Sequence, residues 1–295
     1  MLNKLKDESK CVVIAPSNSI KEKDYVELER GEEYIKSLGL EISHSNNLEE
    51  DSYTLKAKDV ENAFSSDADI IMAARGGENL DLILPYIDYS KITEKILCGF
   101  SDITSLLNQI YYIKNIITFH GCNVKTFGRI DDEKMLKETF EDFENKFFEN
   151  NFTKYPKVIN LKGIGEFKGR ILGGNLSCFV KFTKLNKDLD ISSNILILEE
   201  LGFESKREDI LRSLDDLVKV KGFEKVAGII VGNYESIEDE KYRLEDILLE
   251  YFKDMDINIV KGDFFGHSKL NLIIPIGAMA SVKDTIFNIE EKILK

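Results

Sequence analysis

The chain is poor in the residues that usually build metal and redox sites. It has 295 residues but no Trp, four Cys and three His. Imidazole chemistry is therefore restricted to His44, His120 and His267. The cysteines lie far apart, at positions 11, 98, 122 and 178, and form no C-x-x-C pair. This spacing does not indicate a zinc or redox motif, and we expect free thiols in a reducing cytoplasm.

No apolar run approaches the roughly 18 residues of a membrane-spanning helix. The first residues, MLNKLKDESK, are charged where a signal peptide needs an apolar core. We therefore expect a cytoplasmic protein that has no membrane partner.

Acidic residues outnumber basic ones, with 53 Asp and Glu against 40 Lys and Arg, for a net charge of −13. A phosphate backbone needs a basic face, so this balance argues against nucleic acid as a partner. The hydrophobic fraction of 43% is enough for packed cores. The length predicts two domains, at about 150 residues each.

Residues 1–150 alternate short apolar runs with helical patterns, as in Ile70–Ala74 followed by Gly76-Gly77. This alternation predicts an α/β domain with a mostly parallel sheet flanked by helices. Residues 151–168 carry Pro156 and two glycines with little helical periodicity, and we interpret them as a linker. Residues 169–295 then form a smaller α/β or α+β domain.

Ser101 is the first candidate for chemistry. It stands in Gly99-Phe100-Ser101-Asp102, between an apolar strand and an amphipathic helix. A tight strand-to-helix turn can present a hydroxyl at the carboxyl edge of a sheet, as in a nucleophile elbow, although Ile103 replaces the second Gly of G-x-S-x-G. The alternative is a helix N-cap.

Gly76 and Gly77 follow the strand that ends at Arg75. Glycines there let a backbone N–H approach a ligand closely, as an oxyanion hole requires, or they simply form a turn. The chain has no G-x-G-x-x-G and no Gly-Lys-Ser/Thr, so dinucleotide and Walker-type phosphate sites are not favoured.

Glu199 and Glu200 close an apolar strand, and His267 follows Gly266. A carboxylate at the carboxyl end of a strand lies where α/β active sites form. The alternative is that the strand simply ends in solvent. A lone His is often structural. Ser101, Glu199 and His267 nevertheless give the chain order of a serine, an acid and a histidine.

Taken together, these segments resemble the serine carboxypeptidases of peptidase family S66, which comprise LD-carboxypeptidases and MccF-like microcin-immunity peptidases. The matching segments, in order, are Val13–Ser17, Ala74–Asn79, Leu84–Tyr89, Gly99–Leu106, Thr118–Gly121, Gly173–Leu176, Ile197–Glu200, Val231-Gly232, Gly266-His267 and Pro275–Ala278. One departure is Cys122, where relatives often have Pro.

The resemblance implies an active site at the domain interface. The N-terminal domain would carry the nucleophile Ser101, and the C-terminal domain the acid Glu199 and the base His267. Oxyanion donors would be the backbone N–H groups of Gly77 and Asp102. We assign no catalytic role to the neighbouring Glu200. The resemblance implies no cofactor or metal, and a homodimer.

An exopeptidase must also recognise a terminal carboxylate, and Arg75 beside Gly76 is a candidate, with a structural ion pair as the alternative. Three hypotheses about function follow. The first is cleavage of the bond to the terminal D-Ala of murein tetrapeptide, in cell-wall recycling. The second is MccF-like cleavage of aminoacyl-adenylate mimics, for self-immunity. The third is a non-catalytic α/β binding protein.

Overall fold

The computed structural model describes residues 2–153, 155–201, 206–235, 243–267 and 270–295. Within them the chain forms strands, α-helices and short 3₁₀ turns. The strands are β1 Lys10–Ile14, β2 Glu41–His44, β3 Ile70–Ala73, β4 Ile96–Gly99, β5 Thr118–His120, β6 Ile159–Lys162, β7 Phe167–Asn175, β8 Ile195–Leu201, β9 Gly228–Glu235, β10 Ile259–Gly266, β11 Ile274–Ile276, β12 Met279–Lys283 and β13 Ile286–Ile289. The helices are α1 Tyr25–Ser37, α2 Tyr53–Ser65, α3 Thr104–Lys114, α4 Val124–Arg129, α5 Glu133–Phe147, α6 Leu176–Leu185, α7 Arg207–Leu217 and α8 Leu244–Tyr251.

The chain divides into two compact units. Unit 1 comprises Met1–Asn151, Leu272–Pro275 and Lys292–Lys295, and unit 2 comprises Phe152–Asn271 and Ile276–Glu291.

Unit 1 is built on a six-stranded sheet in the order β11-β5-β4-β3-β1-β2. Strands β1 to β5 pair in parallel, with β3 beside both β1 and β4. Every residue of β3 is buried, which explains its uninterrupted apolar sequence. Because parallel strands end at one edge, the loops after β1, β3, β4 and β5 share that edge of the sheet.

Unit 2 contains a seven-stranded sheet in the order β13-β12-β7-β8-β9-β10-β6. Strands β7 to β10 are parallel, whereas β12, β13 and β6 are antiparallel additions at the two sides. Glu199 lies near the carboxyl end of β8, and His267 directly follows β10.

The predicted fold class, a two-domain α/β protein, is confirmed. The segment 151–168, interpreted from sequence as a linker, contains β6, which pairs with β10. This strand is short and lies at the sheet edge with its residues partly exposed, so it lacks a recognisable apolar pattern. Two short segments from the predicted C-terminal domain, Leu272–Pro275 and Lys292–Lys295, belong to unit 1.

All four cysteines are free and buried. None of the helices in the described ranges combines the length and the apolar character needed to cross a membrane.

Candidate active site

Ser101 lies in a strained turn between strand and helix. Strand β4 ends at Gly99, Phe100 is extended, and Ser101 has a φ of +64°. A left-handed conformation at a non-glycine residue costs about 1–3 kcal/mol and is common at functional sites. The N-cap of the following 3₁₀ turn is Phe100 and that of α3 is Ile103, so the interpretation of Ser101 as an N-cap is wrong.

The backbone of Gly76 lies directly against the side chain of Ser101. A Cβ placed on Gly76 would stand 2.8 Å from the Ser101 Cβ and 3.0 Å from its Oγ. Any larger residue at position 76 would therefore displace the hydroxyl. The loop after β3 and the turn after β4 therefore meet at this serine.

The side chain of Asp102 ties this turn to two other loops. It is completely buried, and its Oδ2 accepts hydrogen bonds from the Ser17 hydroxyl at 2.5 Å and the Leu80 backbone N–H at 2.9 Å. Ser17 belongs to the loop after β1, and Leu80 closes the loop that contains Gly76 and Gly77. One carboxylate therefore holds three segments of unit 1 together.

The loop after β1 also touches Gly77. A Cβ on Gly77 would lie 2.3 Å from the Asn18 side chain, so only glycine permits this approach. The Asn18 Oδ1 accepts a hydrogen bond from the Glu78 N–H at 3.2 Å. Neither Ser17 nor Asn18 was singled out as a candidate from the sequence, although Ser17 ends the first segment of the family resemblance.

In unit 2, Glu199 and His267 form a hydrogen-bonded pair. The Glu199 Oε2 lies 2.6 Å from the His267 Nδ1, the Glu199 side chain is completely buried, and that of His267 is 11% exposed. The end of β10, directly before His267, is held in place because the Gly266 N–H donates to the Asn271 side chain at 3.1 Å. A buried carboxylate on Nδ1 orients the ring and favours Nε2 for proton exchange.

Glu200 has different partners from Glu199. Its carboxylate accepts hydrogen bonds from the Asn175 side chain at 2.7 Å and from the Ser177 backbone N–H at 3.1 Å, at the start of α6. Burial, and then the negative charge of Glu199, raise the pKa of Glu200 above its usual value. Its contacts are those of a residue that supports α6.

Arg75 forms an ion pair with Asp24. The Arg75 Nη1 lies 2.8 Å from Asp24 Oδ2, and the buried Lys125 side chain contacts the other oxygen. Burial raises the pKa of Asp24, but the hydrogen bond from Lys125 and the Arg75 charge outweigh it, and the net pKa is lowered. The structural ion pair expected as the alternative for Arg75 is therefore present.

The other two histidines have separate surroundings. His120 is buried on β5 and packs edge-to-face on Phe100, with ring centroids 6.1 Å apart. His44 ends β2 and lies 2.6 Å from the Glu32 carboxylate. Across the described residues, no group of three or more His, Cys, Asp or Glu side chains is placed to hold a metal ion.

Most of the chain is similar to proteins of one peptidase family. The family model for the LD-carboxypeptidase N-terminal domain of peptidase family S66 matches residues 11–121, and that for the C-terminal domain matches residues 168–282. A Bacillus subtilis protein named "Probable murein peptide carboxypeptidase" is 27% identical, covering 92% of this chain and 87% of its own. The microcin C7 self-immunity protein MccF of Escherichia coli is 27% identical, covering 74% of this chain and 72% of its own.

The fold is also that of a solved structure. MccF in complex with glutamyl sulfamoyl guanosine superposes with a TM-score of 0.87 at 21% identity, covering 100% of this chain and 99% of the other. The family match favours an enzyme over a non-catalytic binding protein. The chain belongs to peptidase family S66, the LD-carboxypeptidase family, and is a serine peptidase.

Proposed function

We propose that the protein is an LD-carboxypeptidase that removes the terminal D-Ala from murein tetrapeptide. Ser101 is the nucleophile, His267 the general base and Glu199 the residue that orients His267. The backbone N–H groups of Gly77 and Asp102 bind the oxyanion.

The hydrogen bond between Glu199 and His267 is the observation that carries this proposal. A carboxylate buried against Nδ1 of a histidine is the arrangement that makes imidazole an effective base toward a hydroxyl. The strained turn at Ser101 supports the same proposal, because it presents a hydroxyl at the edge of a parallel sheet beside a glycine loop.

The proposed reaction has two steps. His267 takes the proton of Ser101 Oγ while that oxygen attacks the scissile carbonyl carbon, and the oxyanion is held by the two N–H groups. His267 then gives the proton to the D-Ala nitrogen, the C–N bond breaks, and an acyl-enzyme remains. Water, deprotonated by His267, then attacks the ester carbonyl carbon, the bond from that carbon to Ser101 Oγ breaks, the shortened peptide leaves with a new carboxyl group, and His267 returns the proton to Oγ.

Arg75 and Gly76 are the proposed substrate-binding residues, with Arg75 facing the terminal carboxylate of D-Ala. A guanidinium is the usual partner of a carboxylate because it can donate two parallel hydrogen bonds. The remaining parts of the proposal are a cytoplasmic location, a role in cell-wall recycling and a homodimeric assembly.

The test is to incubate the purified protein with murein tetrapeptide and follow the loss of D-Ala by mass spectrometry. We expect release by wild type, none by Ser101→Ala, and wild-type rates for the matched control Ser37→Ala, whose serine is exposed on α1. An intact tetrapeptide, under conditions where a known LD-carboxypeptidase works, would refute the assigned substrate.

A second candidate is cleavage of aminoacyl-nucleotide mimics. Gly76-Gly77-Glu78-Asn79 resembles the MccF branch, and MccF structures hold aminoacyl sulfamoyl nucleosides. The absence of Trp removes the strongest stacking platform for a nucleobase, although Tyr or Phe can stack. Release of the amino acid from aspartyl sulfamoyl adenosine, with no D-Ala release from tetrapeptide, would select this function.

A further inference from the structure

A lysine is buried in unit 1 close to the loop after β1. Lys56 lies on α2 and is only 3% exposed. Its ammonium donates hydrogen bonds to the backbone carbonyls of Ala15, at 3.0 Å, and of Ser17. In the described part of the chain these carbonyls, and not a carboxylate, are its direct partners.

Burying an ammonium group is strongly unfavourable unless strong partners replace water. Two neutral carbonyls offset only part of that cost, so stability alone does not account for Lys56. What Lys56 does provide is a fixed geometry for residues 15–17, immediately after β1. Ser17 lies in that segment and Asn18 follows it. The Ser17 side chain reaches the nucleophile turn, residues 99–102, and the Asn18 side chain reaches the glycine loop, residues 74–80.

Both proposed oxyanion donors depend on this loop. The Ser17 hydroxyl bonds to the carboxylate of Asp102, whose own N–H is one donor. The Asn18 side chain lies against Gly77, whose N–H is the other, and accepts a hydrogen bond from the N–H of Glu78. The Asp102 carboxylate also fixes Leu80, which closes the glycine loop.

We propose that Lys56, Ser17 and the Asp102 carboxylate form a positioning network. Through the loop after β1, this network holds the two N–H groups of the oxyanion hole in place. This inference rests on the proposed catalytic roles of Ser101, Gly77 and Asp102. Lys56 touches no reacting atom and acts through Ser17. Oxyanion donors work only within a few tenths of an ångström of their position, so a misplacement of about 1 Å can cost about 10²-fold in rate.

The network has a titratable member. Burial lowers the pKa of Lys56 to about 8, with the charges of Lys21 and Arg75 acting in the same direction and those of Asp51 and Asp59 against it. As the pH rises through about 8, the ammonium loses the charge that strengthens both carbonyl hydrogen bonds. We therefore expect the rate to fall on the alkaline side as the pH rises through about 8.

The experiment uses the full-length protein with Lys56→Met, Lys56→Arg and Ser17→Ala, and Lys58→Met as the matched control. Lys58 is exposed two residues along the same helix. Two quantities are measured from about pH 6.5 to 9.5. One is the rate of Ser101 labelling by a fluorophosphonate, and the other is the steady-state rate of D-Ala release, which yields kcat and KM.

Lys56→Met and Ser17→Ala should lower the labelling rate and kcat by about 10- to 100-fold with little change in KM. Lys56→Arg should retain more activity and lose the alkaline fall near pH 8, since Arg does not titrate there. Lys58→Met should match wild type.

Wild-type labelling rates in Ser17→Ala, or in folded Lys56→Met, would overturn the inference. An active Lys56→Arg variant whose rate still falls near pH 8 as in wild type would also overturn the inference. Should Lys56→Met fail to fold, Ser17→Ala decides, because it removes only one hydroxyl. Failure of the proposed function is distinguishable, because wild type itself would then release no D-Ala, whereas the labelling rates of the variants would still test the network as long as wild type labels at Ser101.

Discussion

His267 Nδ1 lies 2.6 Å from Oε2 of Glu199, which has no solvent exposure. In the proposed mechanism this contact fixes the imidazole tautomer. Glu199→Gln places an amide there, which can donate to Nδ1 and hold the ring in the wrong tautomer. We expect kcat to fall about 10⁴-fold with KM nearly unchanged. Steady-state kinetics on D-Ala release measure both constants.

Glu199→Asp serves as the graded control for that variant. It keeps the charge but withdraws the carboxylate by about one methylene, so an intermediate loss of about 10²-fold is expected. Equal rates for Glu199→Gln and wild type would remove Glu199 from the proposed triad.

Arg75→Met tests the proposed carboxylate recognition. Because a hydrogen-bonded charge pair contributes about 1.5–3 kcal/mol, KM should rise about 10- to 100-fold while kcat changes little. A substrate analogue amidated at its terminal carboxyl should show no such difference between wild type and variant. Arg30→Met, which breaks a solvent-exposed pair with Asp131, is the matched control and should leave KM unchanged.

Asp24 gives Arg75→Met a second possible outcome. Removing Arg75 leaves the buried Asp24 with Lys125 as an ion-pair partner. A lower urea midpoint together with an unchanged KM would show that Arg75 serves Asp24 and not the substrate.

His44 should make stability depend on pH. The hydrogen bond to Glu32 is the main cause of the raised pKa of His44, and burial opposes it. The resulting stabilisation is complete below the unfolded pKa of about 6.5 and is lost as pH rises through the higher folded value. Since the His44 side chain is 44% exposed, the loss should stay below about 1 kcal/mol.

The measurement is the urea-unfolding free energy of wild type and His44→Asn between about pH 5.5 and 8.5. Wild type should lose more stability over this interval than the variant. Glu32→Gln should remove the same pH-dependent difference, because it removes the partner. Parallel curves for all three proteins would show that the pair contributes nothing.

Some of this architecture is predictable from the sequence for simple physical reasons. Strand β3 is an unbroken apolar run because both of its faces are buried, and the glycines at 76 and 77 mark where it ends. Strand β6 cannot be predicted from the sequence in this way, because a partly exposed strand at a sheet edge needs no apolar face.

The hydrogen bonds that support the candidate site cannot be predicted from the sequence around each residue. The hydrogen bond from Ser17 to Asp102 joins residues 85 positions apart, and no periodicity reports such a contact. The positive φ of Ser101 is likewise not predictable from its residue type, because serine rarely adopts a left-handed conformation unless the surrounding structure imposes it.

Ser101→Gly should be more stable than Ser101→Ala. Both variants lack the hydroxyl, but only glycine adopts a φ of +64° without steric cost. The advantage should be about 1 kcal/mol, reduced in part by the greater entropy of glycine in the unfolded chain. Urea unfolding compares the two directly, and a more stable Ser101→Ala would mean that the turn is not strained.

Gly76→Ala tests the close approach of the glycine loop to the nucleophile. The added Cβ would stand 2.8 Å from the Ser101 Cβ and 3.0 Å from its Oγ, while the nearest atom outside that side chain, the Phe100 carbonyl oxygen, is at an ordinary 3.6 Å. The clash is therefore with the Ser101 side chain alone. We expect a loss of about 1–3 kcal/mol in unfolding free energy and about 10²-fold in kcat.

A double-mutant cycle isolates this contact. In the Ser101→Gly background the side chain that Gly76→Ala would strike is absent, so the stability cost of the substitution should largely disappear. The coupling between positions 76 and 101 should then approach the full cost of the single variant, since each substitution acts on the same pair of atoms. Additive effects in urea unfolding would place the strain of Gly76→Ala elsewhere and would contradict the assigned contact between the glycine loop and Ser101.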